Sequence, residues 1–134
     1  MDDSLWFEPP ARIRSSLAKM IGAKPEEIAV TTGASTGAAA VAHGLEWSPR
    51  DEIICAQGDF PLHYATWKPM EEREGVRLRT VAPADRFITA DDLIDALTPR
   101  TRIVSLSLVR YDDGTLLDAA RVIVEVSYSR VSAS

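Results

Sequence analysis

The chain has 134 residues, 46% apolar and 26% charged, with a formal net charge of −5. That length suits one domain around one core, and the acidic balance argues against a broad electrostatic nucleic-acid surface. With no apolar run of about 18 residues no transmembrane helix is expected. One cysteine, Cys55, permits no internal disulfide, and the acidic start Met1-Asp-Asp-Ser is unlike a signal peptide, so cytoplasmic residence is the default.

Residues 10–21 read as a helix, with Pro10 in its first turn, an apolar stripe of Ile13, Leu17, Met20 and Ile21, and Gly22 at its end. The run 28–32 reads as a first strand, followed by Gly33, Ala34, Ser35 and Thr36 and an alanine-rich helix over 35–45. Ser48-Pro-Arg-Asp is a turn, and 52–57 a second strand with the apolar centre Ile53-Ile-Cys-Ala. A loop over 58–63 precedes a helix over parts of 64–74 that Pro69 disturbs and Gly75 closes. Residues 76–82 alternate as a third strand. Thr89-Ala-Asp-Asp resembles a cap, opening a helix to Leu97. A fourth strand spans 102–109, and Asp112-Asp-Gly is a turn signal. Val122, Val124, Val126 and Tyr128 alternate with Ile123, Glu125, Ser127 and Ser129, which favours a final strand. Strands alternating with helices predict an α/β fold with three layers, its sheet mainly parallel and its connections crossover helices.

In open parallel sheets ligands bind beyond the carboxyl ends of the strands. Three segments are predicted there: residues 33–36, the loop Gly58-Asp-Phe-Pro, and Arg110-Tyr-Asp-Asp-Gly. The first carries the strongest local signal. The leading N–H groups of a helix lack internal partners and sit at the positive end of its dipole. Small residues let a ligand approach, and Ser35 and Thr36 add hydroxyl donors. A phosphate cradle fits this pattern, and so does a capped helix without a ligand. Gly33-Ala-Ser-Thr-Gly37 is not the G-x-G-x-x-G of dinucleotide-binding folds. His43 and His63 lack the neighbours of a metal motif, so no metal ligands are assigned; His43 reads as a surface or packing residue and His63 as a loop residue. Cys55, inside an apolar strand, reads as an inert core thiol.

The stretch Ala18-Lys-Met-Ile-Gly-Ala-Lys-Pro-Glu-Glu-Ile-Ala-Val-Thr-Thr-Gly-Ala-Ser-Thr-Gly resembles the opening of the class V aminotransferase family. These are fold-type I pyridoxal-phosphate enzymes that include cysteine desulfurases, kynureninases and isopenicillin-N-epimerase-like proteins. The likeness continues through Asp51-Glu-Ile-Ile-Cys-Ala-Gln-Gly-Asp-Phe-Pro and Leu97-Thr-Pro-Arg-Thr-Arg-Ile-Val-Ser-Leu-Ser, covering roughly residues 11–121. It implies residues 1–121 as part of the large, cofactor-binding domain. Residues 122–134 form a tail outside the family pattern, a short strand and then a disordered end. A truncated gene or shifted reading frame would produce such an ending.

The resemblance implies pyridoxal 5′-phosphate as cofactor and an amino acid or amine as substrate, by transamination, desulfuration or epimerisation. It places Gly33, Ala34, Ser35 and Thr36 at the cofactor phosphate. Phe60 matches the aromatic that stacks on the pyridine ring in kynureninase-like members, where desulfurases usually have histidine; core packing under a loop is its other reading. Tyr111 stands where desulfurases often have an asparagine near the cofactor oxygen. No catalytic residue is assigned. The family's Schiff-base lysine comes from later sequence, and Lys19, Lys24 and Lys68 are the lysines here. Cofactor binding by this chain is therefore expected to be weak or absent. The family places its first strand apart from the next three, with later strands between. Residues 28–32 are accordingly expected to pair wrongly, with the tail, or with another molecule, and self-association or a homo-oligomer is expected.

Overall fold

The computed structural model describes residues 4–131. The chain divides into two compact units, with the boundary between Gly37 and Ala38.

The first unit opens with helix α1, Ser4–Ile21. It starts before the predicted position, so Pro9 and Pro10 lie inside the helix rather than at its entry. Gly22 ends it at φ 70° and lets Ala23 N–H reach back to the Ala18 carbonyl at 2.9 Å, a Schellman-type closure. Of the apolar residues here Ala18 is buried, whereas Ile13, Leu17, Met20 and Ile21 stay substantially exposed. A 3₁₀ turn, Pro25–Glu27, follows. The predicted strand over 28–32 does not form: these residues join no sheet, with Val30 exposed. Among the described residues none pairs with them, neither the neighbouring strands nor the tail. A strand is stable only as part of a sheet, and β-propensity cannot replace a missing partner. Helix α2, Ala34–Gly44, comes next, within one residue of its expected limits.

The second unit is a three-stranded sheet of β1 (Glu52–Ala56), β2 (Arg77–Val81) and β3 (Thr101–Ser105). The order is β2-β1-β3 and both pairings are parallel. Ile53 lies opposite Leu78 and Ile103, with an irregularity between Glu52 and Ile53 on the β3 side. Because β1 is central, its two faces are both covered, and its residues alternate between two cores. Ile53 and Cys55 pack with Ala42, Trp67, Met70 and Val76. Ile54 and Ala56 pack with Ile88, Ala90, Leu93, Leu117 and Val122. Helix α3, Pro61–Glu74, thus covers one face. The other is covered by α4, Ala90–Asp95, and α5, Ala119–Val131. The α/β class, the three layers and the parallel sheet match the sequence expectation.

Local chemistry explains the boundaries. Helix α3 begins three residues before its predicted start, taking 61–63 from the expected loop, because Pro61 sits at its first turn, where an N–H would have no partner anyway. It continues through Pro69 and closes at Gly75, φ 70°. Thr89 caps α4: its hydroxyl accepts from Asp92 N–H at 3.2 Å, and Asp92 accepts from Thr89 N–H at 2.7 Å. The Asp112-Asp-Gly turn forms a small hairpin, with Gly114 at φ 75°, Arg110 N–H on the Thr115 carbonyl at 2.9 Å, and a bridge between Val109 and Leu116.

The tail corrects the reading of 122–128 as a strand. It is helical: the Asp118 carboxylate accepts from Arg121 N–H at 3.2 Å, and Val122 and Val126, one turn apart, pack on the core. The β-branched alternation signalled a strand, but an N-terminal cap and one apolar stripe for the sheet decided otherwise. The expected disordered end after Tyr128 is helical through Val131, and the rest of it, residues 132–134, lies outside the described residues. No helix among the described residues is long and apolar enough to cross a membrane.

Candidate functional site

The carboxyl ends of β1 and β3 lie side by side, and the structure brings together the two loops predicted to meet there. The loop after β1 turns at Gly58, φ 70°, and delivers Asp59 and Phe60. The chain after β3 runs through Ser107 into Arg110 and Tyr111. Phe60 and Tyr111 meet edge to face, ring centroids 5.3 Å apart at 90°. Both rings remain open to solvent, Phe60 48% and Tyr111 61% exposed. The core-packing reading of Phe60 is therefore set aside. An aromatic half in water, held by a second aromatic, presents apolar surface without being needed for the core.

Polar groups beneath the rings tie the loops together. The Asp59 carboxylate accepts from Phe60 N–H at 2.7 Å and from Ser107 N–H at 2.9 Å. His63, in the first turn of α3, bridges two serines, with Nδ1 2.7 Å from Ser105 Oγ and Nε2 3.2 Å from Ser107 Oγ. Its Nε2 also lies 3.9 Å from the Asp59 carboxylate. Burial alone would raise the Asp59 pKa, but the bonds from Ser107 and Phe60 and the nearby His63 hold it below the usual value. Arg110 is 6% exposed; its Nη2 donates to the Gly58 carbonyl at 3.2 Å and to Asp112 at 2.7 Å, and Nε lies 3.5 Å from Asp113. Its Nη1 has no hydrogen-bond partner among the described residues.

Sequence reading singled out Phe60 and Tyr111 and missed Asp59, Ser105, Ser107, His63 and Arg110 as a group. Ser105 and Ser107, two apart along an extended segment, share a face, which was the available signal. Nothing local announces that Asp59 and Ser107, 48 residues apart, share a hydrogen bond.

Gly33, Ala34, Ser35 and Thr36 belong to the first unit. They follow a segment that joins no sheet, so the rule that places ligands beyond strand ends does not apply to them. Ala34 opens α2. The Thr36 hydroxyl pairs with that of Thr32 at 3.1 Å, and a Cβ added at Gly33 would meet nothing within 4 Å. An open glycine, an exposed Ser35 and a helix N-terminus suit a phosphate, and the exposed Phe60 ring suits one face of a pyridine. The lysines do not suit the cofactor's anchor: Lys68, on α3, is exposed and ion-paired with Glu71 one turn on. Cys55 is buried, and its thiol is pushed up to about 12 by burial and by the nearby Asp59, so it is an inert core residue. His43 lies beside Arg73, with Nδ1 3.2 Å from its guanidinium.

Comparison with known proteins matches these features to a family. The model of the aminotransferase class-V family matches residues 10–130, further than the likeness legible by eye and into α5. Isopenicillin N epimerase from Streptomyces clavuligerus is 30% identical over 130 residues, covering 92% of this chain and 33% of that protein. A solved structure of the cystine C–S lyase C-DES, a mutant with glycine covalently linked to its pyridoxal-phosphate cofactor, is 29% identical with TM-score 0.77, over 86% of this chain and 31% of that one. The cysteine desulfurase CsdA from Escherichia coli, 23% identical with TM-score 0.79 over 91% of this chain and 32% of that one, shares the fold. The chain spans about a third of the length of these relatives. A match over residues 10–130 and a parallel sheet shared with these structures show that the chain belongs to the class-V aminotransferase family.

Proposed function

We propose that this chain corresponds to the front part of the cofactor domain of a pyridoxal-phosphate enzyme acting on amino acids or amines, by transamination, desulfuration or epimerisation. In this reading residues 33–36 hold the phosphate, Phe60 covers one face of the pyridine ring, and Tyr111 borders it. The observation that carries it is the solvent-open Phe60–Tyr111 pair at the carboxyl edge of the sheet. The cofactor supplies an electron sink for bonds at the amino-acid Cα when bound. The chain's own contribution is binding: N–H groups and the Ser35 hydroxyl for an anion, and an apolar ring that excludes water from one side. In this reading none of Lys19, Lys24 and Lys68 is the family's Schiff-base lysine, so weak cofactor binding and no turnover are expected of this chain.

The groove of about 300 Å³ between β3 and α5, lined by Val104, Leu106, Ala119, Val122, Ile123 and Val126, supports the same reading. It leaves apolar surface beside a strand that has one sheet neighbour among the described residues, which favours association.

Titration of the full chain with pyridoxal 5′-phosphate, followed by amide chemical shifts, tests the proposal. Shifts at residues 33–36 and at Phe60 are expected. Ser35→Asp, which sets negative charge against the phosphate, should weaken binding more than Ser35→Ala, whose loss of one hydrogen bond is worth about 1 kcal/mol. Equal affinity in wild type and Ser35→Asp overturns the phosphate assignment and leaves a non-catalytic α/β binding module. Turnover of any amino acid that Lys68→Ala abolishes overturns the claim that the anchoring lysine lies elsewhere.

A further inference from the structure

The ring-stacking role assigned to Phe60 requires an exposed side chain on a loop to hold one orientation. Ring packing alone is a weak constraint, because Phe60 and Tyr111 both face water. The constraint available is underneath. The Asp59 side chain is 3% exposed, and its carboxylate accepts from the N–H of Phe60 itself, 2.7 Å away, and from the N–H of Ser107 in the neighbouring loop, 2.9 Å away. One buried group thus joins the backbone that carries Phe60 to the segment that leads to Tyr111. Arg110 repeats the connection from the other side, with its guanidinium on the Gly58 carbonyl at 3.2 Å. His63 completes it through Ser105 and Ser107.

We propose that Asp59 is the positioning residue for the Phe60 ring: its carboxylate locks the loop after β1 onto the loop after β3, so that Phe60 is already held for stacking on a flat heteroaromatic ligand before that ligand arrives. Asp59 touches no ligand in this scheme. It acts by removing the ordering cost that a free loop would add to binding. The stacking purpose rests on the functional reading above, whereas the positioning is a property of the ligand-free chain and is measured there.

The measurement is the ring-current displacement of the Tyr111 ring protons, assigned to Phe60 by its disappearance in Phe60→Leu. Asp59→Asn keeps the shape but turns an amide N–H₂ toward one of the two N–H donors, so one anchor fails. Most of the Phe60-dependent displacement should then be lost, while amide shifts of β1, β2 and β3 stay in place. Retention of the full displacement in Asp59→Asn overturns the proposal.

If that variant fails to fold, acid titration of the wild-type chain decides. The charged carboxylate is the better acceptor, so the lock holds above the Asp59 midpoint and loosens as pH falls through it. The Phe60 and Ser107 amide protons and the Tyr111 ring should move together, at a midpoint below that of an ordinary aspartate. His63 and Arg110 face this carboxylate, the Cys55 thiol lies nearby, and Asp112 and Asp113 pair with Arg110; the same titration repeated in His63→Gln separates the carboxylate's effect from that of the ring beside it. Amide protons that titrate while the Tyr111 ring stays fixed overturn the proposal.

A pyridoxal 5′-phosphate titration separates the two ideas. No ligand shift at Phe60 in wild type, with the ring pair still lost in Asp59→Asn, defeats the functional reading and keeps the positioning. Ligand shifts equal in both proteins, with an intact ring pair, defeat the positioning alone.

Discussion

Each end of β1 carries a buried carboxylate, and the two serve different purposes. At the amino end Glu52 accepts from Arg79 at 3.0 Å and from the Thr98 hydroxyl at 2.8 Å, while Arg79 also donates to the Ala96 carbonyl at 2.8 Å. At the carboxyl end Asp59 takes backbone N–H groups and lies beneath two solvent-open rings. In both, burial is the largest single influence and raises the carboxyl pKa, but hydrogen bonds and neighbouring positive groups together bring it below the usual value: Thr98, Arg79 and Arg77 for Glu52, Ser107, Phe60 and His63 for Asp59. At the amino end side chains from β2 and from the turn before β3 close the fold on itself. At the carboxyl end the same device grips backbone, which leaves the Phe60 and Tyr111 side chains open to solvent.

The comparison breaks most visibly at Glu52. Glu52→Ala removes the acceptor that Arg79 and Thr98 share, leaving Arg79 the Ala96 carbonyl, and should cost about 2 kcal/mol in urea denaturation. That is less than the roughly 3–5 kcal/mol of a fully buried pair, because Arg79 stays partly hydrated. A variant within experimental error of wild type would mean that the amino end is not closed by this group.

Acid reaches both ends with a smaller effect, since a protonated carboxyl still accepts a hydrogen bond. Both folded-state values are depressed, so each carboxylate's contribution is complete above its unfolded pKa and is lost as pH falls through its folded one. The melting temperature should fall as pH drops below the ordinary carboxylate range. Glu52→Gln and Asp59→Asn should each flatten that fall; an unchanged slope in both would exclude these groups.

Gly58→Ala sharpens the contrast at the carboxyl end. The residue sits at φ 70°, and an added Cβ would lie 3.3 Å from the Arg110 guanidinium. Gly114, at φ 75° with nothing within 4 Å, is the control for backbone strain alone. Each should cost about 1 kcal/mol for the left-handed conformation, with Gly58→Ala the larger by the displaced arginine. Equal melting temperatures would mean that Arg110 yields without cost.

Much of the fold was legible because its signals are local. The Ile53-Ile-Cys-Ala centre, the Thr89 cap, the glycine after α3 and the Asp112-Asp-Gly turn each act within a few residues. Residues 28–32 and 122–128 were misread for the opposite reason. The first run has strand-forming residues and, among the described residues, no strand beside it; the second has strand-like alternation and a sheet face covered by a helix. At the candidate site, Phe60 and Tyr111 were singled out through family likeness, but the hydrogen bonds of Asp59, His63 and Arg110 beneath them join residues far apart in the chain and have no local trace.

Sequence alone determined the α/β class, the parallel order implied by strands separated by helices, and the family, since apolar periodicity, caps and turn residues act over short distances. Tertiary structure decided which segments became strands, because a strand exists only where a neighbour takes its hydrogen bonds. It also decided that Phe60 faces water above a buried Asp59, because the burial of a side chain is set by everything that packs around it.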